Sequence, residues 1–195
     1  MTAEISPKPG RADRLRAATD DTHQALDAWV MAANPFADLG RYGRYLLMQY
    51  EIHRDVAGPY ADAALNAAIP GLAGMARLQA VRADLADLGL APPEGMGPPA
   101  AEGVALPEAL GWLYVVEGSN LGGAFLLKAA KAIGLSESHG ARHMVDPEEG
   151  PAAVWRAFKA GLDAPVLTAA EEARVIAGAE AAFARAHALA RRWLG

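Results

Sequence analysis

Apolar residues recur at three- and four-residue spacing along most of the chain, and no stretch alternates apolar and polar positions for long. That pattern predicts helices and no sheet. A first helix is predicted from Ala12 to Val30, ended by the Asn34-Pro35 turn, and a second from Asp38, read as an N-cap, to Val56 before Gly58-Pro59. Shorter helices are expected over 60–68 and 74–88. The stretch Gly89–Gly103, rich in Pro and Gly, holds no regular element and reads as a surface loop. Beyond it come one helix from Leu106 to Ile133, a polar loop to Gly150, a helix from Ala152 to Leu162 and a last helix opening at Thr168. There Glu171, three residues on, completes a capping box. No repeat of fixed period occurs, so the expectation is a single all-α domain over 1–195 with a flexible N-terminus over 1–10.

The predicted helix 106–133 is unusual. Its segment ALGWLYVVEGSNLGGAFLLKAAKAIG carries Gly111, Gly118, Gly122 and Gly123, each costing about 0.5–1 kcal/mol relative to alanine inside a helix. Spacings of seven and four put Gly111, Gly118 and Gly122 on one face, whose backbone can then be approached closely. Either another helix packs there or a flat ligand does, and the glycines alone do not choose. A membrane span is excluded by Glu117, Ser119 and Asn120 at the middle of the segment, where a charge alone costs about 2.5–3.5 kcal/mol. Ser119 and Asn120 bring a hydroxyl and an amide to the same region, where they are suited to hold ordered water.

Composition narrows the chemistry. The 195 residues are 52% hydrophobic, ample to fill one core. The absence of cysteine removes disulfides, thiolate ligands and thiol nucleophiles, and fits a reducing compartment. The first residues contain no apolar stretch ahead of a small-residue cleavage site, so a cytoplasmic protein is expected. A net charge of −5 argues against nucleic acid as a partner.

Five histidines are the candidate metal ligands or bases. His53 lies in EIHRD without the Glu-x-x-His spacing of a di-iron bundle and reads as a surface or packing residue. His139 and His143, four apart in a loop, lack any pattern that would make them a zinc pair, and His187 among alanines reads as packing. His23 differs. Leu15, Thr19, Leu26 and Val30 form the inward stripe of the first helix, and His23 stands on or beside it, pointing toward the core. Asp27, one turn on, is placed to accept the Nδ1 proton and leave Nε2 the more basic ligand. Arg16 shares the face and is suited to meet an acid group on whatever His23 binds.

LRAATDDTH at 15–23 followed by LYVVEGSNLGG at 113–123 resembles the haem oxygenases, the bacterial biliverdin-forming branch in particular. The resemblance continues through WRAF at 155–158 and RVIAGAEAAF at 174–183. It implies that His23 is the axial iron ligand with Asp27 as its partner, and that Gly118, Ser119, Gly122 and Gly123 form the distal wall. It further implies that Arg16, Arg156 and Lys159 meet the haem propionates and that Phe183 lines the pocket. Where animal members carry an aspartate that organises distal water, this chain has Ser119. The hydrophobic membrane tail of those enzymes is absent, since the chain ends in RRWLG, so a soluble enzyme without membrane contact is expected.

The implied reaction takes haem as both cofactor and substrate and cleaves it with O2 and electrons to biliverdin, CO and ferrous iron. The electrons would come from an external donor such as a ferredoxin or a flavoprotein reductase, and a phytochrome is a candidate recipient of the biliverdin. The family's monomer is the expected oligomeric state. The competing reading on the same fold is a haem carrier or sensor that leaves the ring intact.

Overall fold

Capping chemistry sets where the elements begin. In the computed structural model, which describes residues 9–195, α1 spans Arg11–Ala33 and stops at Asn34, a left-handed residue with φ 47° ahead of Pro35. Asp38 accepts from the Arg41 amide at 2.8 Å and opens α2, Leu39–Asp55. Thr168 and Glu171 close the expected box on α10, Ala169–Leu194. Between them lie α3 (Ala57–Ala61), α4 (Ala63–Ala68), α5 (Leu72–Met75), α6 (Leu78–Asp87), α7 (Leu106–Asn120), α8 (Gly123–Ala132), a 3-10 turn at Arg142–Met144 and α9 (Pro151–Asp163). Every named element of the described residues is helical, as the periodicity predicts, and 89–103 forms none. Of the expected flexible N-terminus, residues 1–8 lie outside the described residues, whereas Pro9 and Gly10 are bonded. The Pro9 carbonyl accepts from Arg14, and the Gly10 amide donates to Asp13.

The single helix expected over 106–133 is two. At the C-terminus of α7 the Leu121 amide bonds back to Gly118 O and the Gly122 amide to Ser119 O, tightening the turn, and α8 restarts at Gly123. Consecutive glycines make continuation costly. Gly123 also seats against the carbonyl of Met144, where a Cβ would come within 2.7 Å.

α10 is the axis of the molecule, packing along α1, α2 and α7. Its contact with α7 is backbone on backbone: a Cβ at Gly111 would lie 2.1 Å from Val175 O and 2.5 Å from Ala179 N, and one at Gly178 2.2 Å from Glu108 O. Apolar side chains fill the space around this crossing. Leu15, Tyr60, Leu110, Leu113, Phe158 and Val175 belong to one buried cluster, and Tyr42, Leu46, Leu85, Met144 and Leu189 to a second.

Buried charges join the same helices. Glu51 and Asp55 of α2, both inaccessible, are met by Arg185 at 3.0 and 2.7 Å, and Glu51 also by Arg192 and the Trp193 indole. Arg11, 4% exposed, fixes the start of α1. Its amide donates to Asp163, and its guanidinium donates to Glu172 and to the carbonyls of Leu162 and Pro165.

Candidate haem site

α1 and α7 approach each other near Arg16 and Tyr114, where the Arg16 charge acts on the Tyr114 hydroxyl. From that approach α1 runs on to His23 and α7 to Gly118. The inward stripe of α1 holds through Leu15 and Thr19, which are buried, but His23 does not point into the core. Its side chain is 55% exposed and that of Asp27 66%. Leu26 and Val30 are half-buried. The reason is the partner. At His23 the one ring packed against α1 is Phe183 of α10, itself buried, with centroids 5.7 Å apart.

Asp27 lies 3.3 Å from the imidazole, but from Nε2. The expected pairing through Nδ1 is therefore not the one seen. On an exposed helix face the ring is free to turn over, which exchanges the two nitrogens.

The four glycines divide. Gly111 serves helix packing against α10, and Gly123 is buried against Met144, so neither presents a bare surface. Gly118 and Gly122 do. A Cβ at Gly118 would meet only the Trp155 ring, at 3.9 Å, and one at Gly122 only Ser119 O, at 3.7 Å. Helix packing thus accounts for Gly111, while Gly118 and Gly122 are left uncovered by any packed helix backbone. Leu121 and Phe125, exposed at 43% and 67%, make the surface at the break apolar.

Ser119 is exposed, and its hydroxyl donates to Val116 O at 2.7 Å on its own helix. Arg16 is exposed, as is Arg156 on α9, while Lys159 is half-buried. None of the three forms an ion pair among the described residues, which leaves each charge available to an anion. Trp155, beside Arg156, lies 6.0 Å from Tyr114 and stacks on Phe158 at 5.4 Å.

Behind the glycine surface lies a polar layer that the sequence did not announce. Glu117, 6% exposed, accepts a short hydrogen bond from the Tyr60 hydroxyl. Burial pushes its carboxyl up, opposed by the Tyr60 bond, the Arg77 charge and the nearby Asn120 amide. His53 is not a surface residue but 2% exposed, and His143 is buried with its Nδ1 2.8 Å from Asp84. His139 stands apart, 3.6 Å from Asp87, and His187 ties α10 to α1 through Thr22 O at 3.2 Å. No group of three or more His, Cys, Asp or Glu among the described residues is arranged to hold a metal ion by itself.

Burial, with charge on His143 and Arg77 adding to it, lowers the His53 pKa from 6.5 to about 3. The unfolded chain therefore takes up a proton near 6.5 that the native state refuses until about 3. The resulting stability is complete above pH 6.5 and is lost as pH falls toward 3. His53→Gln is expected to move the acid-unfolding midpoint, followed by circular dichroism, to lower pH; an unmoved midpoint would remove His53 from the acid transition.

Comparison with known proteins gives the same answer along nearly the whole chain. The family model described as heme oxygenase matches residues 10–192. Heme oxygenase PigA of Pseudomonas aeruginosa is 45% identical over 175 residues, covering 90% of this chain and 88% of that protein. A heme oxygenase of Xanthomonas campestris is 37% identical over 111 residues, covering 57% of this chain and 65% of its own length. Among solved structures, the NO- and CO-bound heme oxygenase from Neisseria meningitidis superposes with a TM-score of 0.90 at 41% identity, over 96% of this chain and 94% of that one. Heme oxygenase from Leptospira interrogans shares the fold at 18% identity, with a TM-score of 0.73 over 94% of this chain and all of the other. With a histidine–carboxylate pair on the first helix, two uncovered glycines at the break between α7 and α8, and this agreement in sequence and fold, the chain belongs to the heme oxygenase family.

Proposed function

We propose that this chain is an oxidoreductase that cleaves haem to biliverdin, CO and ferrous iron. The observation that carries the reading is His23, an exposed imidazole beside a carboxylate and against Phe183, in a chain of this family. The residues fit the group. A flat ring needs a surface without side chains, which Gly118 and Gly122 offer, an open imidazole for the iron, and unpaired cations for the propionates.

His23 would hold the iron through one ring nitrogen, with Asp27 accepting the proton of the other, which would fix the tautomer and make the ligating nitrogen more basic. Ligation through Nε2 therefore requires the ring to present Nδ1 to Asp27. Arg16 would pair with one propionate and Arg156 and Lys159 with the other, so that ion pairs would orient the ring. Phe183 packs beside the His23 ring. When bound, haem supplies both the iron that takes up O2 and the porphyrin that is oxidised. Gly118 and Gly122 would keep side chains off the ring, so that the backbone at the α7–α8 break could lie against it. Ser119, its proton committed to Val116 O, serves water as an acceptor.

Electrons come from an external donor of the ferredoxin or flavoprotein-reductase class, and a phytochrome is a recipient for the biliverdin. Among the described residues no helix is long and apolar enough to cross a membrane. We place the protein in the cytoplasm as a monomer, its site within a single domain over 1–195.

Titration of the purified protein with haem is expected to give a Soret band saturating at one equivalent. Reductant and O2 should then convert that band to biliverdin absorption. A band that forms and survives reductant and O2 would leave a carrier or sensor instead.

A further inference from the structure

Ser119 has spent its only proton within its own helix and can only accept from a water, so any donor to that water must be another group. Two are at hand. The Asn120 Nδ2 atom is buried and has no hydrogen-bond partner of acceptable geometry. With Glu117, Arg77, Leu121 and Trp155 it lines a cavity of about 20 Å3, room for about one water. Glu117 sits one residue before Gly118, and Tyr60 engages only its Oε1.

Resting on the haem oxygenase reading, we propose that Glu117 is a positioning residue: held by Tyr60 and backed by Arg77, it orients Asn120 and a cavity water behind the Gly118 surface, and so sets the proton supply to the distal face. The chemistry of the donors supports this. The cavity water can accept from Asn120 Nδ2 and donate to the Glu117 carboxyl, which leaves its second proton free for the glycine side. Arg77 steadies the charged form of Glu117 and Tyr60 fixes its rotamer. The charged or titratable groups that face Glu117 are Tyr60 from α3 and Arg77 before α6, while α9 adds the uncharged Pro151, Val154, Trp155 and Phe158.

The test uses Glu117→Gln, which keeps the shape, Glu117→Asp, and Tyr60→Phe, which removes the donor and leaves the carboxyl. In the haem-free protein the raised carboxyl favours the native state below about 4.5, the ordinary value, and that contribution is lost as pH rises through the folded-state pKa. The Tm of Glu117→Gln relative to the parent should therefore climb with pH across that range, and an infrared carboxylic C=O band present above pH 4.5 should vanish in the variant. Loaded with haem, Glu117→Gln should keep its Soret band at one equivalent while the acid–alkaline spectral transition shifts. Biliverdin formation should fall about 10- to 100-fold, partly restored in Glu117→Asp and mimicked by Tyr60→Phe. The proposal is overturned if Glu117→Gln leaves both the spectral transition and the rate unchanged, if Ser119→Ala costs more than Glu117→Gln, or if the loss of rate only tracks a loss of haem binding. Failure of the parent itself to bind haem would instead count against the functional reading.

Discussion

Removing the His23 imidazole is expected to cost more than any other change in the site. An outer-shell partner of a metal ligand is worth about 10- to 100-fold in affinity or activity, and the ligand itself should exceed that. His23→Ala should therefore reduce biliverdin formation more than 100-fold and change the ferric spectrum, whereas Asp27→Asn should stay within the outer-shell range. Because the His23 side chain is 55% exposed, its loss should open a path to solvent and leave the helix standing. Free imidazole added to His23→Ala should then restore the ligated spectrum. A haem complex of His23→Ala indistinguishable from the parent's would sink the axial assignment and leave Asp27 without a role.

The largest effect on stability is expected at the α7–α10 crossing. A methyl group at Gly178 would stand 2.2 Å from Glu108 O, and no rotamer can relieve a clash between Cβ and main chain. The two helices must part, loosening the contacts of Leu110, Leu113 and Val175. A penalty of about 3 kcal/mol or more follows for Gly178→Ala, a fall in Tm of roughly 6–12 °C in a chain of this size. Gly118→Ala supplies the control. Its Cβ would be 3.9 Å from the nearest atom, so helix propensity should leave the protein unchanged or slightly more stable, by about 0.5–1 kcal/mol. Melting curves that fail to separate the two variants would mean that the helices are not in backbone contact.

The caps at Asp38 and Thr168 and the Asn34-Pro35 stop were legible in the chain because each is a local device, decided within four residues. The break at Leu121–Gly122 was half legible: the Gly122-Gly123 pair signalled it, but the carbonyl of Met144 that seats Gly123 is a distant partner. Gly111 was visibly anomalous, yet only the reciprocal Gly178, an isolated glycine among alanines on α10, shows what it packs against. His23, Asp27 and Arg16 could be grouped by helical spacing. Their exposure could not, because it depends on which helices fail to cover that end of α1. Glu117 was seen only as a charge forbidding a membrane span. Its partner Tyr60 is 57 residues away in sequence, beyond the reach of any periodicity.

Arg11 lies outside the proposed haem site, yet it fixes the start of the helix that carries the proposed iron ligand, His23. It clamps one end of α1 to α9 and α10, while most of the helix beyond Thr19 is exposed. The twelve residues to His23 span about 18 Å of helix. α1 is thus a beam built in at Arg11, propped beside His23 by Phe183 and His187 and tied beyond it by Leu26, Val30 and the Ala33 carbonyl. A rotation at the footing is passed along the helix to the imidazole and resisted there by those props. Substitutions that only loosen Arg11 would therefore register as a change in iron ligation far from where they were made.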